Sequence, residues 1–150
     1  MQKTIELMAL AVLALAVVGS TITVQHIFAP SSGPGINSRP PTNIHFIMNA
    51  DGSGIPLTGA NNYKIHFKQT IPPQNWTLTS YDKNGIRYNN TDSFSVKKNT
   101  DGSIDIYVQH QSPTKDIKSN WLPSPKDSFG LVLETSRTFP PESFSVPQRS

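Results

Sequence analysis

The groups in this chain that could do chemistry are a few histidines, a set of aspartates and one proline-bound tryptophan. His45, His66 and His110 each stand beside apolar residues. An imidazole in such a place can hold a metal or move a proton. No His-x-His, His-x-x-His or His-Glu pair occurs. A zinc site would therefore need three or four ligands converging from separate strands. The spacing predicts histidines on wet strand faces, with neither a metal nor a cofactor. Asp82, Asp92, Asp101, Asp105 and Asp116 could supply a carboxylate pair for general acid–base work. Asp82 and Asp101, however, lie where turn aspartates accept backbone N–H groups. Neither Asp51-Gly52-Ser53-Gly54 nor Asp101-Gly102-Ser103 has the alternating oxygen ligands of a calcium loop. No serine sits in Gly-x-Ser-x-Gly, and no glycine-rich phosphate loop precedes a helix. The chain has no cysteine, which removes disulfides, thiolate nucleophiles and Cys-zinc sites.

Asn120-Trp121-Leu122-Pro123-Ser124-Pro125 is a different kind of signal. The prolines force their preceding residues toward extended backbone. Trp121 brings a large apolar surface. On one reading the segment is a plug whose Trp closes an end of a β domain, with Asn120 bonding the backbone to fix the loop. On the other it is a ligand platform, with Trp121 and Asn120 meeting a sugar or an apolar group.

The elements that must position these residues have period two. Ile44, Phe46 and Met48 alternate with polar neighbours, as do Tyr63, Ile65 and Phe67, and Ile104, Ile106 and Val108. Trp76-Leu78-Ser80, Phe94-Val96 and Phe129-Leu131-Leu133 complete the set. Such alternation marks strands with one wet face. Asn84-Gly85 and Asp101-Gly102 accept positive φ and predict tight hairpins. No apolar helical period occurs after the N-terminal segment. The expected fold is an all-β antiparallel sandwich or jelly roll.

Before Arg39 the only charges are Lys3 and Glu6. Leu7 to Val24 carries none, and Ala9 to Val18 is an unbroken apolar run. Eighteen helical residues would reach about 27 Å, close to a hydrocarbon core of about 30 Å. The segment predicts a single transmembrane helix. Its rival is a cleaved signal peptide, which usually has a shorter apolar region. Either reading puts the rest of the chain outside the cytoplasm, and the anchor reading predicts membrane contact through residues 5–24. The expected organisation is an anchor over 1–29, a Pro/Gly/Ser linker over 30–42, a β domain over 43–147 and a tail over 148–150.

The formal charge of +3 falls on the later part, where twelve Lys/Arg face nine Asp/Glu. Lys97-Lys98 and Lys115 to Lys118 are its densest points, with acids interspersed. A nucleic-acid surface would be denser and interleaved with aromatics, so none is expected. A protein or glycan partner remains open. Asn75-Trp76-Thr77 and Asn89-Asn90-Thr91 are sequons, so Asn75 and Asn89 are candidate glycan acceptors.

Seven blocks occur in a distinctive order: Asp51-Gly52, Leu57 to Ala60, Tyr63 to Phe67, Pro72-Pro73, Trp76 to Gly85, Asp101 to Gln109 and Asn120 to Pro125. In this the chain resembles the uncharacterised family catalogued as domain of unknown function 1214, over about Ile44 to Pro147. There are departures. An Arg usual after the Asn-Gly turn is missing from Asn89 to Ser93. Arg-Leu-Tyr-x-Pro is replaced around Thr135 to Pro140, and a closing Trp-x-x-Pro becomes Phe144 to Pro147. The resemblance implies a β-sandwich and no established activity. The sequence thus predicts a binding or assembly module. The alternative is a hydrolase or carbohydrate-active enzyme whose site forms only in three dimensions.

Overall fold

The computed structural model describes residues 12–17, 20–25, 43–68, 75–136 and 140–150. They form an all-β sandwich. One sheet has the order β1-β2-β3-β9-β5-β6, the other β10-β4-β7-β8. The strands are β1 (Val12–Val17), β2 (Ser20–Gln25), β3 (Asn43–Met48), β4 (Tyr63–Phe67), β5 (Trp76–Asp82), β6 (Arg87–Asp92), β7 (Ile104–Gln109), β8 (Trp121–Pro123), β9 (Phe129–Ser136) and β10 (Gln148–Arg149). Pairing is antiparallel except between β7 and β8, which run parallel. Two single 3-10 turns, Lys118–Asn120 and Pro141–Ser143, are the helical pieces among the described residues.

The period-two pattern sets the core. Ile44, Phe46 and Met48 of β3, Leu131 and Leu133 of β9, and Leu78 of β5 are buried. They meet Tyr63, Ile65 and Phe67 of β4, Ile106 and Val108 of β7, and Leu122 of β8. Trp76 of β5, only 4% exposed, stacks on Phe67 of β4 at 4.7 Å with the rings 10° apart. That contact joins the two sheets, and stacked aromatics add to the stabilisation from their buried area. Phe144 packs edge-on against Phe46 at 5.1 Å. β9 lies between β3 and β5, pairing with both over most of its length.

Several expectations need correction. Phe94-Val96 is not a strand. Asp92 Oδ1 accepts the N–H groups of Phe94 and Ser95, which turns the chain there and leaves Phe94 80% exposed. The paired residues are instead Arg87–Asp92. Asp101-Gly102 does not join two strands of one hairpin, because β7 pairs with β4 and β8. Gly102 does take the positive φ, +82°, that its turn requires. Gln148–Arg149, expected as a tail, pairs with Lys64 and Tyr63. The Arg149 guanidinium reaches the buried Asp51 carboxylate at 2.8 Å.

The N-terminal segment is described only in part. Over residues 12–17 and 20–25 it forms two antiparallel strands, the second pairing Thr23 with Ile47 of β3. In Ser20–Gln25 the Thr, Ile and Val residues beside the edge of β3 suit a strand. The other residues of the expected span, 7–11, 18 and 19, lie outside the described residues, as does the linker over 30–42. Among the described residues no helix is long and apolar enough to cross a membrane.

Candidate functional site

The outer face of the four-stranded sheet gathers most of the chemically capable residues. The inward set of β4 and β7 is apolar, so alternation turns Lys64, His66, Asp105, Tyr107 and Gln109 outward. Register places His66 opposite Asp105 and Lys64 opposite Tyr107, with Trp121 next to Tyr107 on β8. His66 Nδ1 and Asp105 Oδ1 lie 2.7 Å apart, with the imidazole 43% exposed. Asp105 Oδ2 accepts from Asn99 Nδ2 at 3.2 Å. The Asn99 amide also donates to Ser103 Oγ, whose hydroxyl donates to Asp101 at 2.6 Å. The Asp101 carboxyl is held below its ordinary 3.8 by the Ser103 hydroxyl first and the Ser103 N–H next. Slight desolvation opposes them, and the field of His66 adds a smaller lowering.

Beside this network lies a recess of about 430 Å³, floored by Asp105 and Tyr107 and walled by Lys97 to Thr100 on one side and by Asp116, Ile117, Ser119 and Asn120 on the other. Asn120 holds the walls together. Its Oδ1 accepts the Lys97 N–H at 2.7 Å, and its Nδ2 donates to the Lys97 and Asp105 carbonyls at 2.7 and 2.9 Å. The hydrogen bonds of this amide go to backbone, so Asn120 positions the recess that it also helps to line.

Trp121 is half-buried, and its indole N–H donates to the Gln109 carbonyl at 2.9 Å. The fully buried anchor of its segment is Leu122. The segment does close one side of the sandwich: Ser80 of β5 donates to the Pro123 carbonyl at 2.9 Å, and Ser124 N–H to Gln109. A Cβ on Gly59 would stand 2.1 Å from the Pro125 carbonyl, so only glycine fits there. The plug is therefore the backbone and Leu122, while the Trp121 ring lies on the outer face.

The remaining candidates fall elsewhere. His45 is on β3 in the other sheet. His110 lies within bonding distance of the Ser124 carbonyl, 2.9 Å, in a separate cleft with Lys83 and Asp127. Asp82 caps Asn84 and Ile86, and Asp51 caps Ser53 and Ile55. Burial raises the Asp51 pKa, but those N–H groups and Arg149 together hold it below 3.8. Among the described residues no three His, Asp or Glu side chains converge as a metal site. Asn75 and Asn89 are exposed. The sequence reading missed Asn99, whose partners Ser103 and Asp105 lie only four and six residues on and are brought to it by the Asp101-Gly102 turn, and it missed that Lys97-Lys98 and residues 116–120 meet at one recess.

Similarity to known proteins fixes the fold and leaves the activity open. No curated protein matches the chain. The solved structure of the VPA0106 protein from Vibrio parahaemolyticus is similar, with a TM-score of 0.57, 19% identity, and 70% of this chain and 30% of that one covered. An uncharacterised protein from Burkholderia cenocepacia gives 0.52, 14%, 77% and 31%. The chain thus corresponds to about a third of each of those proteins. Residues 42–143 match the family model described as Protein of unknown function (DUF1214), and the chain belongs to that family.

Proposed function

We propose that the domain is a binding module that presents the outer face of its four-stranded sheet, and that the charge-free N-terminal segment holds it at a membrane outside the cytoplasm. The recess over Asp105 and Tyr107 carries the binding reading. Its volume suits a small polar ligand. Its polar groups converge without a nucleophile beside His66: the Ser103 hydroxyl is buried and donates to Asp101. The membrane reading rests on the uncharged run from Leu7 to Val24. In hydrocarbon each backbone N–H and C=O must be satisfied within the segment, so residues paired with β3 in water would be helical there.

Two measurements test this. Mass spectrometry of carbonate-washed membranes should recover the Met1 end of the chain; a mature N-terminus near Thr21 or Pro30 ends the membrane half. A glycan and peptide array probed with the full chain in non-ionic detergent should give a ligand that protects β7 and residues 97–100 from hydrogen exchange. Protection confined to other surfaces ends the binding half.

The second reading, a hydrolase, is favoured by one observation, the 2.7 Å His66–Asp105 pair. A carboxylate can orient an imidazole as a general base. Turnover of a nitrophenyl glycoside or ester that is abolished by His66→Gln, with the fold intact, would put the enzyme ahead of the binding module.

A further inference from the structure

The two densest positive stretches of the sequence meet at one place in the fold. Lys97 and Lys98 line the recess over Asp105, and Asp116, Ile117, Ser119 and Asn120 line it too, next in sequence to Lys115 and Lys118. All four lysines are exposed, and none has an ion-pair partner among the described residues. An exposed ammonium normally stays hydrated and contributes little to folding. Two of them in the lining of one concavity, with Lys115 and Lys118 adjoining its lining residues in sequence, raise the local potential and favour anions. The floor is not simply acidic, because Asp105 has one oxygen against His66 and the other on Asn99.

Beside the lysines, Asp105 and Asp116, the lining offers hydroxyls, an amide and an aromatic ring, Thr100, Ser119, Asn99 and Tyr107, with Ile117 and the backbone-bonded Asn120 completing it. Trp121 continues the aromatic row, one strand over from Tyr107 in register. Hydroxyl and amide groups recognise hydroxyls, and flat rings recognise the apolar face of a sugar. The walls are also fixed before any ligand arrives. Asn120 clamps Lys97 to β7, and the Asn99 N–H donates to the Ser103 carbonyl at 2.8 Å. Rigid walls lower the ordering cost of binding.

We infer that this recess takes an acidic saccharide, a ligand with carboxylate or phosphate groups for the lysines and hydroxyls for Thr100, Ser119 and Asp116. The inference rests on the binding reading above and names its ligand class. Nucleic acid fits less well, because Asp116 interrupts the positive rim and the recess is short.

The test is titration calorimetry on the full chain in non-ionic detergent, with three probes: a glucuronate disaccharide, a neutral glucose disaccharide and inorganic phosphate. The acidic disaccharide should bind at least about tenfold more tightly than the neutral one, and more weakly as salt rises. The double variant Lys97→Gln/Lys98→Gln should weaken it about tenfold. Lys83→Gln/Lys126→Gln, in the separate cleft around His110, should not change it. Both variants change exposed residues, and matching thermal melts would show that the fold survives. Equal affinity for acidic and neutral disaccharides overturns the acidic class. Loss through Lys83 and Lys126 overturns the location. No binding of the acidic disaccharide overturns the inference altogether. Phosphate binding alone at the recess shows that the site reads the anion and not the sugar, which also overturns it. In each case a ligand found at β7 by the array leaves the binding module standing.

Discussion

Asn120–Pro125 and Lys97–Thr100 touch each other, yet they use their polar groups in opposite ways. The first turns inward: the Asn120 amide, the Pro123 carbonyl and the Trp121 indole all find partners within the domain. The second is pinned by its backbone and the Asn99 amide, and leaves the Lys97, Lys98 and Thr100 side chains exposed. A rare sequence motif therefore marks a structural clamp, while an unremarkable Lys-Lys-Asn-Thr marks the surface where recognition is proposed. Unusual residue patterns report how hard a piece of backbone is to satisfy, and they say less about where a ligand sits.

That contrast can be broken by substitution. The largest loss should come from the core beneath both regions. Trp76→Ala removes the ring stacked on Phe67 and should cost about 3–5 kcal/mol in urea unfolding. Asn120→Ala leaves the Lys97 N–H and two carbonyls without their partner and should cost about 2–4 kcal/mol by the same measurement. It should also loosen residues 97–100 in hydrogen exchange; unchanged protection there would mean that Asn120 does not hold the recess. Trp121→Ala should cost less, about 1–2 kcal/mol, since it removes one hydrogen bond and a half-buried ring. A loss as large as that of Trp76 would restore Trp121 as the plug.

Acid should separate the two regions from the turns. Asp51, Asp92 and Asp101 all titrate below 3.8 in the folded chain. For Asp92 the Phe94 N–H is the main cause, opposed by desolvation and aided by Ser95. A carboxyl with a lowered folded pKa favours folding when charged. That stabilisation is complete above about 3.8 and fades as pH falls through the lowered values. Melts between pH 5 and 2 should show stability dropping, with a smaller drop in Asp101→Asn. An unchanged slope would mean that Ser103 does not hold that carboxyl. The smallest effect belongs to Lys97→Gln/Lys98→Gln, which should leave stability within about 0.5 kcal/mol.

Most strands were legible because their inward residues alternate so regularly. Ile44 to Met48, Tyr63 to Phe67 and Ile104 to Val108 could hardly be placed otherwise. Phe94-Val96 has the same local pattern, but Asp92 turns the chain first, and a side-chain cap is invisible to periodicity. The N-terminal residues carry a composition that suits a bilayer helix and an edge strand alike. The sequence cannot choose between them, because the choice depends on what surrounds the segment. At the site, His66 and Asp105 were recognisable as separate candidates. Their pairing depends on a register between strands 39 residues apart.

The position of β9 has a consequence for how the chain is made. It is the last long strand to be synthesised, yet it lies in the middle of the larger sheet. Until residues 129–136 leave the ribosome, β3 and β5 each have an unsatisfied edge and a row of bare apolar side chains. Long-range pairing of this kind folds slowly and leaves nascent chains prone to aggregation. Translation of this domain should depend on a holding chaperone until its last quarter appears. A ribosome stalled near residue 128 should present a chain that proteases cut readily, and one stalled with β9 fully exposed should present a chain that resists them.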